Sequence, residues 1–139
     1  MVSEKDQELI ALASKAIKDR YRYDWQEVGA AMRTRDGRVV TGVNIDAYVG
    51  RGAVCAEAIA IGRAITETGD KGIDTIVAVR HPKPGEPGGI AVVSPCGTCR
   101  ELIHDYDAKA RVIVPNGKAG PTVTTIGELL PNKYRRGME

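Results

Sequence analysis

The sequence predicts an α/β protein in which one mixed sheet of about five strands is covered by helices on both faces. Helix-type and strand-type patterns alternate along the chain in the order helix, hairpin, helix, strand, strand, helix, strand, helix. The length of 139 residues suits one hydrophobic core, so residues 1–139 are expected to form a single domain. With 42% hydrophobic and 27% charged residues, the composition is that of an ordinary globular protein.

In the N-terminal half, the first helix begins at Ser3. Ser3 and Asp6 form a capping-box pattern, and apolar residues recur at helical spacing to about Arg20. Two strands, over residues 28–33 and 39–44, flank the dipeptide Asp36-Gly37, which favours a tight hairpin turn. After a glycine-containing loop, a largely buried helix covers residues 55–68 and ends at Gly69.

The C-terminal half is predicted to contain strands over residues 73–79, 90–93 and 111–114. The segment 81–89 holds three Pro and three Gly and is expected to be an exposed loop. A helix over residues 96–106 follows Pro95, a residue that suits a helix start. Turns at Asn116-Gly117 and Gly120-Pro121 then lead to a short helix over residues 126–130.

The cysteine pattern carries the chemistry. All three cysteines of the chain lie in Cys55-Ala56-Glu57 and Pro95-Cys96-Gly97-Thr98-Cys99. Three protein ligands leave the fourth position of a zinc ion to a water that the metal acidifies, whereas structural zinc sites are closed by four. Three cysteines with a non-ligand glutamate are one form of the signature of zinc deaminases of nucleobases. We therefore predict a catalytic zinc site with Cys55, Cys96 and Cys99 as ligands and Glu57 as the proton-transfer residue.

Other interpretations of these residues stay open at this point. Cys96 and Cys99 alone would suit a redox pair, but that leaves Cys55 and Glu57 unexplained. The three cysteines could also hold a structural zinc or be inert thiols, and Glu57 could simply cap a helix. Both motifs fall at predicted helix N-termini, where backbone N–H groups favour thiolates, and Arg100 adds positive charge beside Cys99.

The chain resembles the cytidine deaminase family and its blasticidin S deaminase relatives over nearly its full length. This resemblance implies a three-layer α/β/α fold, a Zn²⁺ cofactor, a small nucleoside substrate and a homotetramer. Besides the two zinc motifs, the matching stretches are Val28-Gly29-Ala30-Ala31, Asp36-Gly37, Thr41-Gly42-Val43-Asn44 and Glu128-Leu129-Leu130-Pro131.

The same resemblance implies roles for residues around the zinc motifs. The backbone of Ala56 and Ser94 would hold the pyrimidine ring and its departing amine, and Asn44 would bind the sugar hydroxyl unless it merely closes a strand. Asp46 stands where the family has a ribose-binding glutamate. Independently of the family, Arg51 lies between two glycines near the first motif and is a candidate partner for an anionic substrate group, or else a solvated loop residue.

Some positions depart from the cytidine deaminase pattern. Gln26 occupies the place of a phenylalanine that precedes Val28 by two positions, and the chain contains no Phe. Trp25 or a neighbouring tyrosine could replace it, although a core or subunit-interface role is the simpler expectation. Ala58 follows Glu57 where three-cysteine cytidine deaminases carry an arginine. Blasticidin S deaminases also lack that arginine and end like residues 128–134, but the spacing of eleven from Asn44 to Cys55 follows the cytidine type. The chain therefore sits between the two groups.

The predicted function is therefore zinc-dependent hydrolytic deamination of a cytosine nucleoside or close analogue, giving the uracil form and ammonia. The alternatives are a blasticidin S-type aminonucleoside deaminase and a non-catalytic, zinc-stabilised ligand-binding module. A net charge of +2 argues against a nucleic-acid partner. No stretch of about 18 apolar residues suggests a membrane span and no apolar leader follows Met1, so the cytoplasm is the expected location.

Overall fold

The first layer of the fold is helix α1, which spans Glu4–Arg20 in the computed structural model describing residues 2–137. The predicted capping box is confirmed: the Asp6 N–H donates to Ser3 Oγ at 3.2 Å, and the Ser3 N–H donates to Asp6 Oδ2 at 2.9 Å. Leu9, Ala13 and Ile17 form one fully buried stripe of this helix. That stripe packs against the sheet.

The middle layer is a mixed sheet of six strands, one more than predicted. Strands β3 and β5 pair in parallel, and the other pairs are antiparallel, in the order β2-β1-β3-β5-β6 with β4 paired to the end of β3. The missed strand is β6, in which three of four residues are threonine and give no apolar signal. The strands are β1 (Val28–Arg33), β2 (Val39–Val43), β3 (Thr75–Arg80), β4 (Ala91–Val93), β5 (Arg111–Val114) and β6 (Thr122–Thr125).

The third layer consists of helices α2 (Ala56–Thr68), α3 (Gly97–Tyr106) and α4 (Ile126–Leu129), which cover the sheet face opposite α1. Neighbouring strand residues alternate between the two faces: Val112 packs with α2 and α3, and Ile113 packs with α1. Because both faces are covered, the interiors of β1, β3 and β5 are apolar, and polar residues stand only at the ends of these strands. Short 3₁₀ turns occupy Gly50–Gly52 and Gly117–Ala119.

Strand β3 begins two residues later than predicted. Ile73 is buried and gave the apolar signal, but its N–H donates to Asp107 Oδ2 at 2.9 Å instead of joining the strand ladder. Asp107 follows the last residue of α3, so this bond ties the far end of α3 to the start of β3.

Helix α2 lies unusually close to the edge strand β2. A Cβ added to Gly42 would lie 2.7 Å from the backbone N of Ala60 and 2.9 Å from the backbone O of Ala56. Only glycine permits this approach, and the approach fixes the N-terminus of α2 against the sheet. No helix within residues 2–137 combines the length and apolarity that a bilayer span requires.

Candidate active site

The three cysteines meet at the N-termini of two helices. Cys55 is the N-cap of α2, Cys96 is the N-cap of α3, and Cys99 lies in the first turn of α3. Their Sγ atoms all lie within 4.8 Å of one another, and those of Cys55 and Cys96 are 3.4 Å apart. A tetrahedral zinc with Zn–S bonds of about 2.3 Å places its sulfurs roughly 3.8 Å apart, so the cluster has the size of a metal site. At 3.4 Å the two sulfurs are too far apart for a disulfide, whose S–S bond is about 2 Å.

The electrostatic surroundings of the three thiols favour a bound cation. Burial raises the pKa of Cys99 well above the ordinary range, and the negative charges on Glu57 and Cys55 raise it further. Burial, followed by the Cys96 thiol, also raises the pKa of Cys55. Burial opposes ionisation of Cys96 as well, but the N–H of Cys99 and the Cys55 thiol stabilise its thiolate and lower its pKa. A divalent ion deprotonates such thiols on coordination, and thiolate sulfur suits zinc, so the donor set fits this metal.

Glu57 lies beside the cluster in the first turn of α2, and its side chain is only 5% exposed. Burial raises the pKa of the Glu57 carboxyl, although its own N–H and the Cys99 thiol act in the opposite direction. A buried carboxyl with little other hydrogen bonding is unusual as a mere helix cap. Its position favours proton transfer in the adjoining cavity.

A cavity of about 320 Å³ opens next to the cysteines. It has the size of a small-molecule site. Most of the residues predicted for substrate or metal binding line it, and the sequence argument missed its apolar walls because Val28, Val54 and Ala78 carry no chemical signature. The predicted residues on the lining are Asn44, Asp46, Cys55, Ala56, Glu57, Ser94 and Cys96, and the apolar ones are Val28, Ile45, Ala53, Val54, Ala78 and Val93.

Asn44 is largely committed to the backbone. Its Oδ1 accepts from the N–H groups of Glu27 and Val28 at 2.9 and 3.0 Å, and its Nδ2 donates to the carbonyl of Trp25 at 3.0 Å. A carboxamide offers two acceptor sites and two donor hydrogens, so one Nδ2 hydrogen remains for a ligand. Asn44 thus shapes the cavity wall and keeps one donor free.

Two predicted site residues are not on the lining: Cys99, which is buried but belongs to the cysteine cluster, and Arg51, which belongs to neither the cluster nor the cavity wall. Arg51 lies exposed on the turn Gly50–Gly52, between Asp46 and Ala53 of the lining. Ser94 is exposed and Ala56 is fully buried, and both reach the cavity.

Of the aromatic residues before β1, Tyr23 is exposed and Tyr21 and Trp25 are half-buried, and none of the three belongs to the core clusters. The ring of Trp25 packs against Tyr48, with centroids 5.4 Å apart, and Tyr21 stacks on His81 at 3.8 Å. None of these rings lines the cavity, so none of them replaces the missing phenylalanine. Apolar contact with a bound base would come from the aliphatic side chains of the wall.

A zinc-dependent deaminase is the class of protein that this fold and cysteine cluster define. Residues 3–115 match the family model described as the cytidine and deoxycytidylate deaminase zinc-binding region. Over 137 residues the chain is 50% identical to blasticidin-S deaminase from Bacillus cereus, covering 97% of this chain and 96% of that protein. It is 30% identical over 132 residues to cytidine deaminase from Sporosarcina psychrophila, covering 94% and 91%.

Solved structures agree with this assignment. The crystal structure of cytidine deaminase from Mycobacterium leprae superposes with a TM-score of 0.74 at 29% identity, covering 94% of this chain and all of that one. The chain belongs to the cytidine and deoxycytidylate deaminase family. The predicted three-layer fold, the zinc cofactor and the function of a zinc-dependent nucleoside deaminase are confirmed at the level of the family.

Proposed function

We propose that the chain hydrolytically deaminates a nucleoside carrying a cytosine ring, with Cys55, Cys96 and Cys99 as zinc ligands and Glu57 as the acid/base residue. One observation carries this proposal. Three Sγ atoms gather within 4.8 Å. The buried Glu57 carboxyl shares a cavity with two of these cysteines.

The reaction replaces an amine by an oxygen without any change of oxidation state. When bound, zinc supplies an acidified water at its open coordination position. Glu57 would take one proton from the water whose oxygen bonds to the ring carbon that bears the amine, and would pass it to the neighbouring ring nitrogen. Glu57 would then move the second proton, from the new hydroxyl, to the amine. The C–N bond breaks, ammonia leaves, and the ring is left in its uracil form.

The cavity lining supplies complementary contacts for such a substrate. The backbone of Ala56 and Ser94 holds the ring edge, while Val28 and Ala78 offer apolar contact to its faces. The free Nδ2 hydrogen of Asn44 needs an acceptor, and Asp46 accepts from a hydroxyl, so both suit the sugar. Arg51, on the exposed turn Gly50–Gly52 outside the lining, is proposed to meet an anionic group beyond the sugar.

Among cytosine nucleosides, we favour a substrate of the blasticidin S type over cytidine. Support comes from the 50% identity to a blasticidin-S deaminase against 30% for a cytidine deaminase. Gln26 and Ala58 stand where cytidine deaminases carry Phe and Arg, and these differences also favour a substrate of the blasticidin S type. The second candidate is cytidine itself, favoured by the cytidine-type spacing between Asn44 and Cys55.

The homotetramer and the cytoplasmic location also remain proposals. The family resemblance supports a tetramer, and exposed apolar residues beside the cavity, Ile45, Tyr48 and Val49, offer surface for an interface. Thiols that must stay reduced to bind metal suit a reducing compartment. The partner we expect is a small molecule, without nucleic acid or membrane.

The test is an ammonia-release screen with blasticidin S, cytidine, deoxycytidine and an aminopurine nucleoside, run on the wild type and on Glu57→Gln. We expect the wild type to prefer blasticidin S, and the variant to keep its zinc while losing turnover by several orders of magnitude. Cytidine as the better substrate would overturn the preference. Substantial turnover by Glu57→Gln would refute the role of the carboxylate.

A further inference from the structure

The C-terminal segment 126–134, here called the C-terminal strap, lies against helix α3. Ile126 of the strap is fully buried, and Leu129 packs against the core cluster that contains Cys99 and Ile103. These contacts set the strap beside the helix that carries two of the three cysteines.

Arg100 joins the strap to the cysteine turn. Its Nε donates to the carbonyl of Pro95 at 2.9 Å, and its Nη1 donates to the carbonyl of Leu129 at 3.1 Å. Pro95 immediately precedes Cys96, and Arg100 immediately follows Cys99. A planar guanidinium makes two such bonds in fixed relative directions, which the single ammonium of lysine does not reproduce.

Lys133 makes a second connection on the same helix. Its Nζ lies 2.8 Å from Glu101 Oε1 and 2.8 Å from Asp105 Oδ1, and its side chain is only 5% exposed. Glu101 and Asp105 are four residues apart on α3, so without Lys133 their like charges would repel. The strap is thus anchored both at the first turn of α3 and further along it.

We propose that Arg100 is a positioning residue that holds the Cys96–Cys99 turn in its metal-binding shape by fastening it to the C-terminal strap. This inference rests on the proposed ligand set of Cys55, Cys96 and Cys99. Because the sulfurs of a preorganised turn need no ordering when zinc arrives, loss of the fastening weakens zinc binding. The coupling is reciprocal, so zinc in turn stabilises the docked strap.

The experiment measures zinc affinity by chelator competition in Arg100→Ala, with Arg63→Ala as the matched control. Arg63 also donates to a backbone carbonyl, that of Thr41 at 2.7 Å, but on the far part of α2. We expect zinc affinity to fall about 10- to 100-fold in Arg100→Ala, as for other residues that orient metal ligands, and to stay unchanged in Arg63→Ala. Equal zinc affinity in Arg100→Ala and the wild type would overturn the proposal.

Two further measurements keep the proposal testable if Arg100→Ala folds poorly. Arg100→Lys keeps the charge without the two-pronged bond, and it should lose zinc affinity while unfolding at a temperature close to that of the wild type. In the wild type, removal of zinc should increase amide hydrogen exchange in residues 126–134 more than in β1. Unchanged affinity in Arg100→Lys, or exchange in the strap that does not respond to zinc, would contradict the coupling.

A Cys99→Ser arm separates this inference from the function on which it rests. If Cys99→Ser binds zinc as the wild type does, the proposed ligand set is wrong. If Cys99→Ser loses zinc while Arg100→Ala retains it fully, the ligand set stands and the positioning role alone is overturned.

Discussion

The cysteine turns and the loop over residues 44–52 border the same cavity but differ in how the protein holds them. Ala56, Glu57 and Cys99 are buried, and they lie on helices packed against the sheet. In the loop, the side chain of Tyr48 is 99% exposed and that of Val49 is 71% exposed. Arg51 makes no hydrogen bond or ion pair with the described residues.

This difference separates two tasks. Among the groups proposed for the reaction, core packing holds Glu57 and Cys99, while Cys55 and Cys96 cap the two packed helices, so the geometry of these groups does not depend on the substrate. Asn44 is held by hydrogen bonds to the backbone, but Asp46 and Arg51, proposed for contact with the outer part of the substrate, lie where few interactions restrict change. The comparison therefore predicts that substitutions near the cysteines change stability and turnover together, whereas substitutions at residues 46–51 change substrate preference alone.

The largest loss of stability and turnover is expected from Gly42→Val. The new side chain would collide with the backbone of Ala56 and Ala60, and α2 would move together with Cys55 and Glu57. We expect a loss of at least about 3 kcal/mol in the free energy of unfolding, and a fall in kcat, measured by urea titration and by ammonia release.

Gly62→Ala is the matched control on the same helix, because an added Cβ there meets nothing within 4 Å. Replacing a mid-helix glycine by alanine should stabilise the chain by about 0.5–1 kcal/mol and leave kcat unchanged. If Gly42→Val lowered neither the free energy of unfolding nor kcat, close packing of α2 on β2 would not be what holds Cys55 and Glu57 in place.

A smaller loss of stability is expected from a substitution of Asp107, which anchors the C-terminal end of α3. Burial raises the pKa of Asp107, but hydrogen bonds from Arg35 and from the N–H groups of Ile73 and Lys109 outweigh it and lower the pKa to about 2. The folded pKa lies below the usual value of about 3.9, so the stabilisation is complete above pH 4 and disappears as the pH falls toward 2. From the size of this shift, it amounts to about 2 kcal/mol at pH 7.

Asp107→Asn should therefore unfold more easily than the wild type by about 2 kcal/mol at pH 7, with the difference shrinking between pH 4 and pH 2. The readout is the difference between the two proteins in urea titrations, since acid-induced loss of zinc affects both alike. A difference that stays constant across this range would contradict the assigned ionisation.

The contrast between the two regions also explains what the sequence could predict. The cysteine motif, Glu57 and the helix starts were predictable because metal coordination and capping demand particular residues at fixed spacing. Strand β6 was missed because its threonines carry no apolar alternation. The apolar cavity wall and the clamp of Arg100 on Leu129 were missed because they depend on tertiary contacts between distant segments.

The smallest effect on stability and the most selective effect on kinetics are expected from Arg51→Ala. Its side chain has no partner among residues 2–137, so the free energy of unfolding should change by less than about 0.5 kcal/mol. For a substrate with an anionic group we expect kcat/KM to fall about tenfold through KM, with cytidine unaffected. Lys118→Ala, which removes one charge from the exposed turn Gly117–Ala119, controls for net charge. Equal kinetics in Arg51→Ala and Lys118→Ala would remove Arg51 from the site.

X-ray absorption at the zinc edge, combined with metal analysis of the purified chain, tests the central claim most directly. Three cysteines and an open position predict one zinc per chain, with three sulfur neighbours at about 2.3 Å and one lighter oxygen neighbour at about 2.0 Å. A zinc surrounded by four sulfur or nitrogen atoms from protein side chains, or a chain that binds no zinc, would contradict the account.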